Sequence, residues 1–353
     1  MKTRKLLLLL GFLILAFLLS GCASGMTPSS WPGLASDGEN VYVAYANQVY
    51  AVQVSNGVEI WRFPEKVSAK MLFYAQPALT PDGQLIVSGY DSILYSLNPN
   101  DGSENWTFTG AGDRWIGSAA VDGDTIYAPN ADYSLYALDL QGNLKWSFET
   151  GAAIWSRPVV GDNFVYVASM DSTIYALDIT TGKKVWSQML DGAVLGPLTI
   201  GNDGSVFATT LGETVYALNP SSGKILWSSP SSAFIWSGAE PGDGSLFVGN
   251  SAGKFFSLDM KSGKENWLIQ PDGSILGTSL VLPEQVVFGT ESGSLVSVDY
   301  TGKITWTKSL TGMIYSDPIL AGDLIIVAPM DGDHMLIAMD QAGNQQWVYT
   351  PAK

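Results

Sequence analysis

The segment IYALDITTGKKVW, residues 174–186, decides the fold, because variants of it recur along the whole chain. Eight copies end in Trp61, Trp106, Trp146, Trp186, Trp227, Trp267, Trp306 and Trp347, at spacings of 45, 40, 40, 41, 40, 39 and 41 residues. Each copy begins with a small residue, Ala or Ser, nine or ten positions before its Trp. A Gly stands four positions before every one of these tryptophans: Gly57, Gly102, Gly142, Gly182, Gly223, Gly263, Gly302 and Gly343. Asp or Asn follows the small residue in most copies, as at Asp139, Asp178, Asn219 and Asp259, so the turn chemistry repeats as well.

Upstream of each copy the pattern alternates with period two, as in TIYAPN, FVYVAS, SLFVGN and LIIVAP. Turn pairs such as Asp82-Gly83, Asp122-Gly123, Asp203-Gly204 and Asp243-Gly244 punctuate it. Each unit therefore reads as four short antiparallel strands. A sheet of that size cannot bury both faces alone, but a radial array lets each sheet pack against two neighbours. The expectation is an all-β chain forming an eight-bladed β-propeller over residues 31–353.

The Ala-x-Asp-x-x-x-Gly-x-x-x-Trp pattern resembles the tryptophan-docking motif of the pyrroloquinoline-quinone (PQQ) repeat propellers, over residues 31 to 349. That resemblance implies that the eight repeat tryptophans are structural, each indole packing between blades against a small residue and a Gly peptide. It also implies two functions: that of the PQQ alcohol dehydrogenases, and that of BamB-like lipoproteins, which are non-enzymatic scaffolds in outer-membrane protein assembly.

The chain opens with Lys2, Arg4 and Lys5, an apolar run, and then Leu19-Ser20-Gly21-Cys22. This resembles a bacterial lipoprotein signal over residues 1–21, with Cys22, the chain's single cysteine, as the lipid attachment point. Residues 22–30 then form a lipidated tether, and Ala23 to Ser30 spans at most about 29 Å. Anchoring would be to the outer membrane facing the periplasm in a diderm cell, or to the outer leaflet of the cytoplasmic membrane in a monoderm. Removing residues 1–21 leaves 15 Lys and Arg against 33 Asp and Glu, a net charge of −18. Nucleic acid is excluded as a partner, since its phosphates are bound through Lys and Arg. The expected partners are the membrane, an envelope or outer-membrane protein, and a small ligand.

An enzyme is not expected. The PQQ dehydrogenases carry a vicinal cysteine pair, calcium ligands, a catalytic Asp and long insertions between blades. One cysteine and repeats of 39 to 45 residues leave no place for these. The single histidine, His334, beside Asp331-Gly332-Asp333, supplies too few convergent ligands for zinc and no positioned base for a nucleophile. No cofactor, metal or catalytic residue is assigned.

A second periodicity remains. Nine residues after a docking Trp come Trp115, Trp155, Leu195, Trp236, Leu276 and Tyr315; Tyr74 holds the place after a four-residue insertion, and Trp31 fills it in the first unit. Two residues further on stand Gln76, Arg157 and Asp317. The candidate ligand funnel is therefore Trp31, Tyr74, Trp115, Trp155, Arg157, Trp236, Tyr315 and Asp317 at one mouth of the central channel. Strand parity puts Asp91, Asp132, Asp171, Glu213 and Asp331 around the same face, with Lys183, Lys224, Lys264 and Lys303 opposite. The competing reading is that these aromatics pack between blades; it requires Trp115, Trp155 and Trp236 all to be buried. The irregular stretch at residues 63 to 70 reads as either a recognition loop or a tolerated insertion.

Overall fold

A computed structural model of the protein describes residues 30–68 and 70–352; the signal segment, Cys22 and the tether up to residue 29 lie outside the described residues. The first blade shows the plan of all the others. Strands β1 (Gly33–Ser36), β2 (Asn40–Tyr45), β3 (Gln48–Gln53) and β4 (Glu59–Phe63) form one antiparallel meander from the channel outward. Seven more sheets of four consecutive strands follow, spanning residues 78–108, 120–149, 159–189, 199–230, 240–269, 280–309 and 319–349. These are blades 2 to 8, and no helix occurs among the described residues. The chain is an eight-bladed β-propeller.

The core is not central. Buried apolar side chains fall into eight clusters, each joining two adjacent blades: Val87 and Leu97 with Val49 and Ala51 between blades 1 and 2, and Ile326 and Ala338 with Val41 and Val43 between blades 8 and 1. The alternation read in the sequence explains this, because the second and third strands of a blade are covered on both faces and lie almost wholly out of solvent.

The docking segments sit at these interfaces. In every blade the small residue pairs directly with its Trp, as Ala51 does with Trp61 and Ala176 with Trp186, and a β-bulge follows at once. Paired residues share a sheet face, so Ala or Ser there leaves the indole free to lean outward. Each indole then lies on the docking glycine of the next blade: Trp61 on Gly102, Trp146 on Gly182, and so on round the ring. All eight glycines have φ between 67° and 86°, and a methyl group on any of them would come within 2.4–3.0 Å of the indole. Ring and backbone geometry both demand Gly here. Each indole N–H donates to a backbone carbonyl of the next blade, as Trp186 does to Pro220 O at 2.8 Å and Trp227 to Met260 O at 2.9 Å.

Closure of the ring, which the sequence leaves open, uses the same clamp. Trp347 lies on Gly57 and donates to Val54 O at 2.7 Å, across 293 residues. Tyr349 adds a hydrogen bond to Glu59, and Glu59 is paired with Arg62 at 2.6 Å. Among the described residues every sheet contains only its own consecutive strands, and none is exchanged between the first and last blades. The insertion at residues 63 to 70 is tied down: Asn47 Nδ2 donates to Ser68 O at 3.1 Å and Met71 O at 2.6 Å, while Gln48 Nε2 donates to Pro64 O at 2.7 Å.

Candidate functional site

In blades 4 to 8 the inner strand is entered through a segment of the form aliphatic–X–small, as in Ile154-Trp155-Ser156, Val194-Leu195-Gly196, Ile235-Trp236-Ser237 and Ile314-Tyr315-Ser316; Ser30, Phe73 and Trp115 hold the first place in blades 1 to 3. The aliphatic residue is fully buried between blades, and X faces the channel. The eight X positions form a ring at one mouth, and five are aromatic: Trp31, Tyr74, Trp155, Trp236 and Tyr315. Leu195, Leu276 and Ile116 complete it.

Trp115 is therefore not a funnel residue. It is fully buried in the interface between blades 2 and 3, edge-on to Phe108 and Tyr136 at centroid distances of 6.3 and 5.6 Å. The connection after Trp106 is one residue longer than in the blades that follow, so counting nine positions lands on the aliphatic place and Ile116 takes X. The tripeptide Trp115-Ile116-Gly117, set beside Ile154-Trp155-Ser156, carries the signal that exposes the slip. Trp155 and Trp236 stay half-buried and line the channel.

The mouth is narrower than a row of aromatics suggests. Trp31 reaches across it and meets both Tyr74 and Trp236 edge-on, each at a centroid distance of 6.0 Å. Below these rings lies a cavity of about 140 Å³. The next layer is polar. Asp317 Oδ1 accepts from Thr278 N at 2.6 Å and its Oδ2 accepts from Gln76 Nε2 at 2.9 Å, a link between blades 8 and 2 that passes over Gly33 of blade 1. Arg157 enters from blade 4 and is the only cation in the lining among the described residues. Burial pushes the Asp317 carboxyl above the usual carboxylate range, against the pull of Thr278 N, Arg157 and Gln76.

Glu240, on the inner strand of blade 6, does not line that cavity but feels the charges of Arg157 and Asp317. Burial pushes its carboxyl up to about 7, with Arg157 lowering it and Asp317 raising it. The segment FIWSGAE carries it four residues beyond Trp236, where the other inner strands hold Ala, Val, Thr, Leu or Ile. An acid among apolar residues on the innermost strand was the available signal.

The acidic rim is largely occupied with structure. Asp132 Oδ2 accepts from Tyr136 Oη at 2.7 Å and Gly112 N at 2.6 Å, and Asp171 Oδ2 accepts from Tyr175 Oη at 2.6 Å and Gly151 N at 2.7 Å. These bonds pin the connection entering each blade to the turn beside it. Asp91 likewise accepts from Tyr95 Oη at 2.6 Å, while Glu213 and Asp331 are exposed. His334 is half-buried and lies 3.0 Å from Thr350 Oγ1 through its Nδ1.

Pyrroloquinoline quinone does not fit this channel. It is a planar tricarboxylate, and among the described residues the cavity lining offers one cation, Arg157, together with the acid Asp317. The cavity of about 140 Å³ is also well below the ~300 Å³ of the smallest usual cofactor pockets. No step is derived through that group.

A family model described as outer membrane protein assembly factor BamB matches residues 23–154, 142–274 and 275–352. The chain is 26% identical over 108 residues to the outer membrane protein assembly factor BamB of Nitrosomonas eutropha, covering 30% of this chain and 26% of that one. It is 28% identical over 105 residues to the BamB of Burkholderia pseudomallei, covering 30% and 27%. It is also 26% identical over 187 residues to a 1-butanol dehydrogenase (cytochrome c) of Thauera butanivorans, covering 51% and 23%. The matched segments thus span about a quarter of the length of these curated relatives. Among solved structures, BamB from Moraxella catarrhalis superposes with a TM-score of 0.72 at 15% identity, covering 85% of this chain and 93% of that one. The computationally designed Ika8 protein superposes with a TM-score of 0.75 at 15% identity, covering 92% and 98%. These superpositions show the fold; with the family model matching nearly the whole described propeller, the chain belongs to the PQQ-repeat propeller family of the outer membrane protein assembly factor BamB.

Proposed function

We propose that this protein is a non-catalytic scaffold of the cell envelope, held to a membrane through lipid on Cys22 and serving outer-membrane protein assembly. The observation that carries the reading is the family match, whose three stretches together take in all eight blades. The lipoprotein-like segment Leu19-Ser20-Gly21-Cys22 supports an envelope location, and the short span of residues 23–29 would keep the propeller close to its membrane. A channel unsuited to pyrroloquinoline quinone, in blades that carry no inserted domain, supports a binding role over the oxidation named for the Thauera relative. The eight Trp clamps make a rigid ring on which exposed loops can engage a partner.

Mild crosslinking in native membranes, capture through a C-terminal tag and mass spectrometry test this. Near-stoichiometric recovery of an outer-membrane barrel assembly protein is expected. Recovery of background proteins alone overturns the scaffold reading, and dye-linked alcohol oxidation that requires added pyrroloquinoline quinone and Ca²⁺ would replace it with the dehydrogenase.

A further inference from the structure

The waist of the channel holds charges that are poised but not paired. The Arg157 guanidinium is exposed to the lumen and makes no hydrogen bond and no ion pair among the described residues. Its five N–H donors form a rigid fork that matches a carboxylate. One acid from another blade lines the same cavity: Asp317, held in a fixed orientation by Thr278 N and Gln76 Nε2. Above them stand the rings of Trp155, Trp236 and Tyr315, and the Trp155 indole N–H finds no acceptor among the described residues.

This lining selects by exclusion. A plain anion suited to Arg157 would meet Asp317, and a plain cation suited to Asp317 would meet Arg157. A neutral sugar can accept from the guanidinium through its hydroxyls but brings no charge to match either group. A small molecule carrying both charges matches both groups. The cavity of about 140 Å³ restricts the guest to a small molecule.

We propose that the channel binds a free α-amino acid as its zwitterion, with the carboxylate on Arg157, the ammonium on Asp317, and the side chain among Trp155, Trp236 and Tyr315. This site is independent of any protein partner, since its groups lie inside the ring and the outer surface is left free.

Calorimetric titration of the purified protein with each proteinogenic L-amino acid tests it, followed by the best binder's amide and N-acetyl forms. At least one amino acid is expected to bind with a Kd of about 1 mM or tighter, and each one-ended analogue about tenfold or more weakly. Arg157→Gln is expected to abolish the preference for the acid over the amide, and Asp317→Asn the preference for the free amine over the N-acetyl form. Thermal unfolding of both variants checks that the ring is intact; Arg157 makes no side-chain hydrogen bond or ion pair among the described residues. Absence of binding by every amino acid at about 10 mM overturns the proposal. So does equal affinity for the three forms, or wild-type affinity in Arg157→Gln.

Discussion

The indole of Trp31 meets that of Trp236 edge-on across the channel mouth, with centroids 6.0 Å apart and planes at 79°, although blades 1 and 6 share no interface. With Tyr74 on its other side at 6.0 Å, Trp31 bridges the mouth where the eight inner strands leave a gap. It remains 41% exposed, so its contribution comes from two aromatic contacts more than from burial.

Trp31→Ala is therefore expected to lower unfolding free energy by only about 1–2 kcal/mol, the worth of two such pairs. It should also raise the accessibility of Trp236 to a soluble fluorescence quencher. Unchanged quenching would mean that Trp31 does not cover Trp236 in solution.

Trp115 and Trp236 look alike in the sequence and should behave differently on substitution. Trp115→Ala empties a fully buried site and is expected to cost about 3–5 kcal/mol, whereas Trp236→Ala opens onto a channel and should cost about half as much. Trp115→Phe should recover most of the loss, because the Trp115 N–H is buried without a partner and its removal relieves that penalty. Denaturant unfolding of the three variants decides the matter.

Gly182 and Gly123 separate backbone from packing. Both have positive φ, 67° and 53°, but a methyl at Gly182 would lie 2.5 Å from the Trp146 ring while one at Gly123 meets nothing within 4 Å. Gly123→Ala should cost about 1–2 kcal/mol from backbone strain alone. Gly182→Ala should cost about 1–3 kcal/mol more, since the docked indole must move. Equal losses would show that the indole does not press on the glycine.

Glu240 gives the channel a pH dependence. Its carboxyl is raised from 4.5 to about 7, chiefly by burial, with Arg157 opposing and Asp317 adding to the shift. The folded state then holds this proton more tightly than the unfolded state. The stabilisation is complete below about pH 4.5 and is lost as pH rises to about 7. Glu240→Gln should flatten stability across that window and stabilise the protein at pH 8 by roughly 1–3 kcal/mol. Thermal unfolding at pH 5 and pH 8 measures it, and a larger gain at pH 5 would contradict the assignment.

Much of the site could be read in advance. Trp155, Arg157, Trp236, Tyr315 and Asp317 follow from one spacing rule, Tyr74 and Trp31 from their equivalent places in the first two units, and all seven line one cavity. Trp115 did not, because one added residue after Trp106 moves a side chain from the channel to the blade interface. Glu240 was passed over because a single acid in a strand has no periodic signature. The rim acids were legible in position but not in use, since their partners, Tyr136 and Gly112 for Asp132, are set by turn geometry.

By itself, the sequence determined the number of blades, their four-strand plan and the Trp–Gly clamp, because each rests on neighbours within one repeat of about 40 residues, where turn chemistry and alternation act locally. Only the tertiary structure decided that Trp347 closes onto Gly57, that Trp31 reaches Trp236, and that Gln76, Arg157 and Asp317 line one cavity. Those relationships join residues 80 to 290 positions apart, and they exist because eight blades close into a ring that brings their inner strands around a single axis.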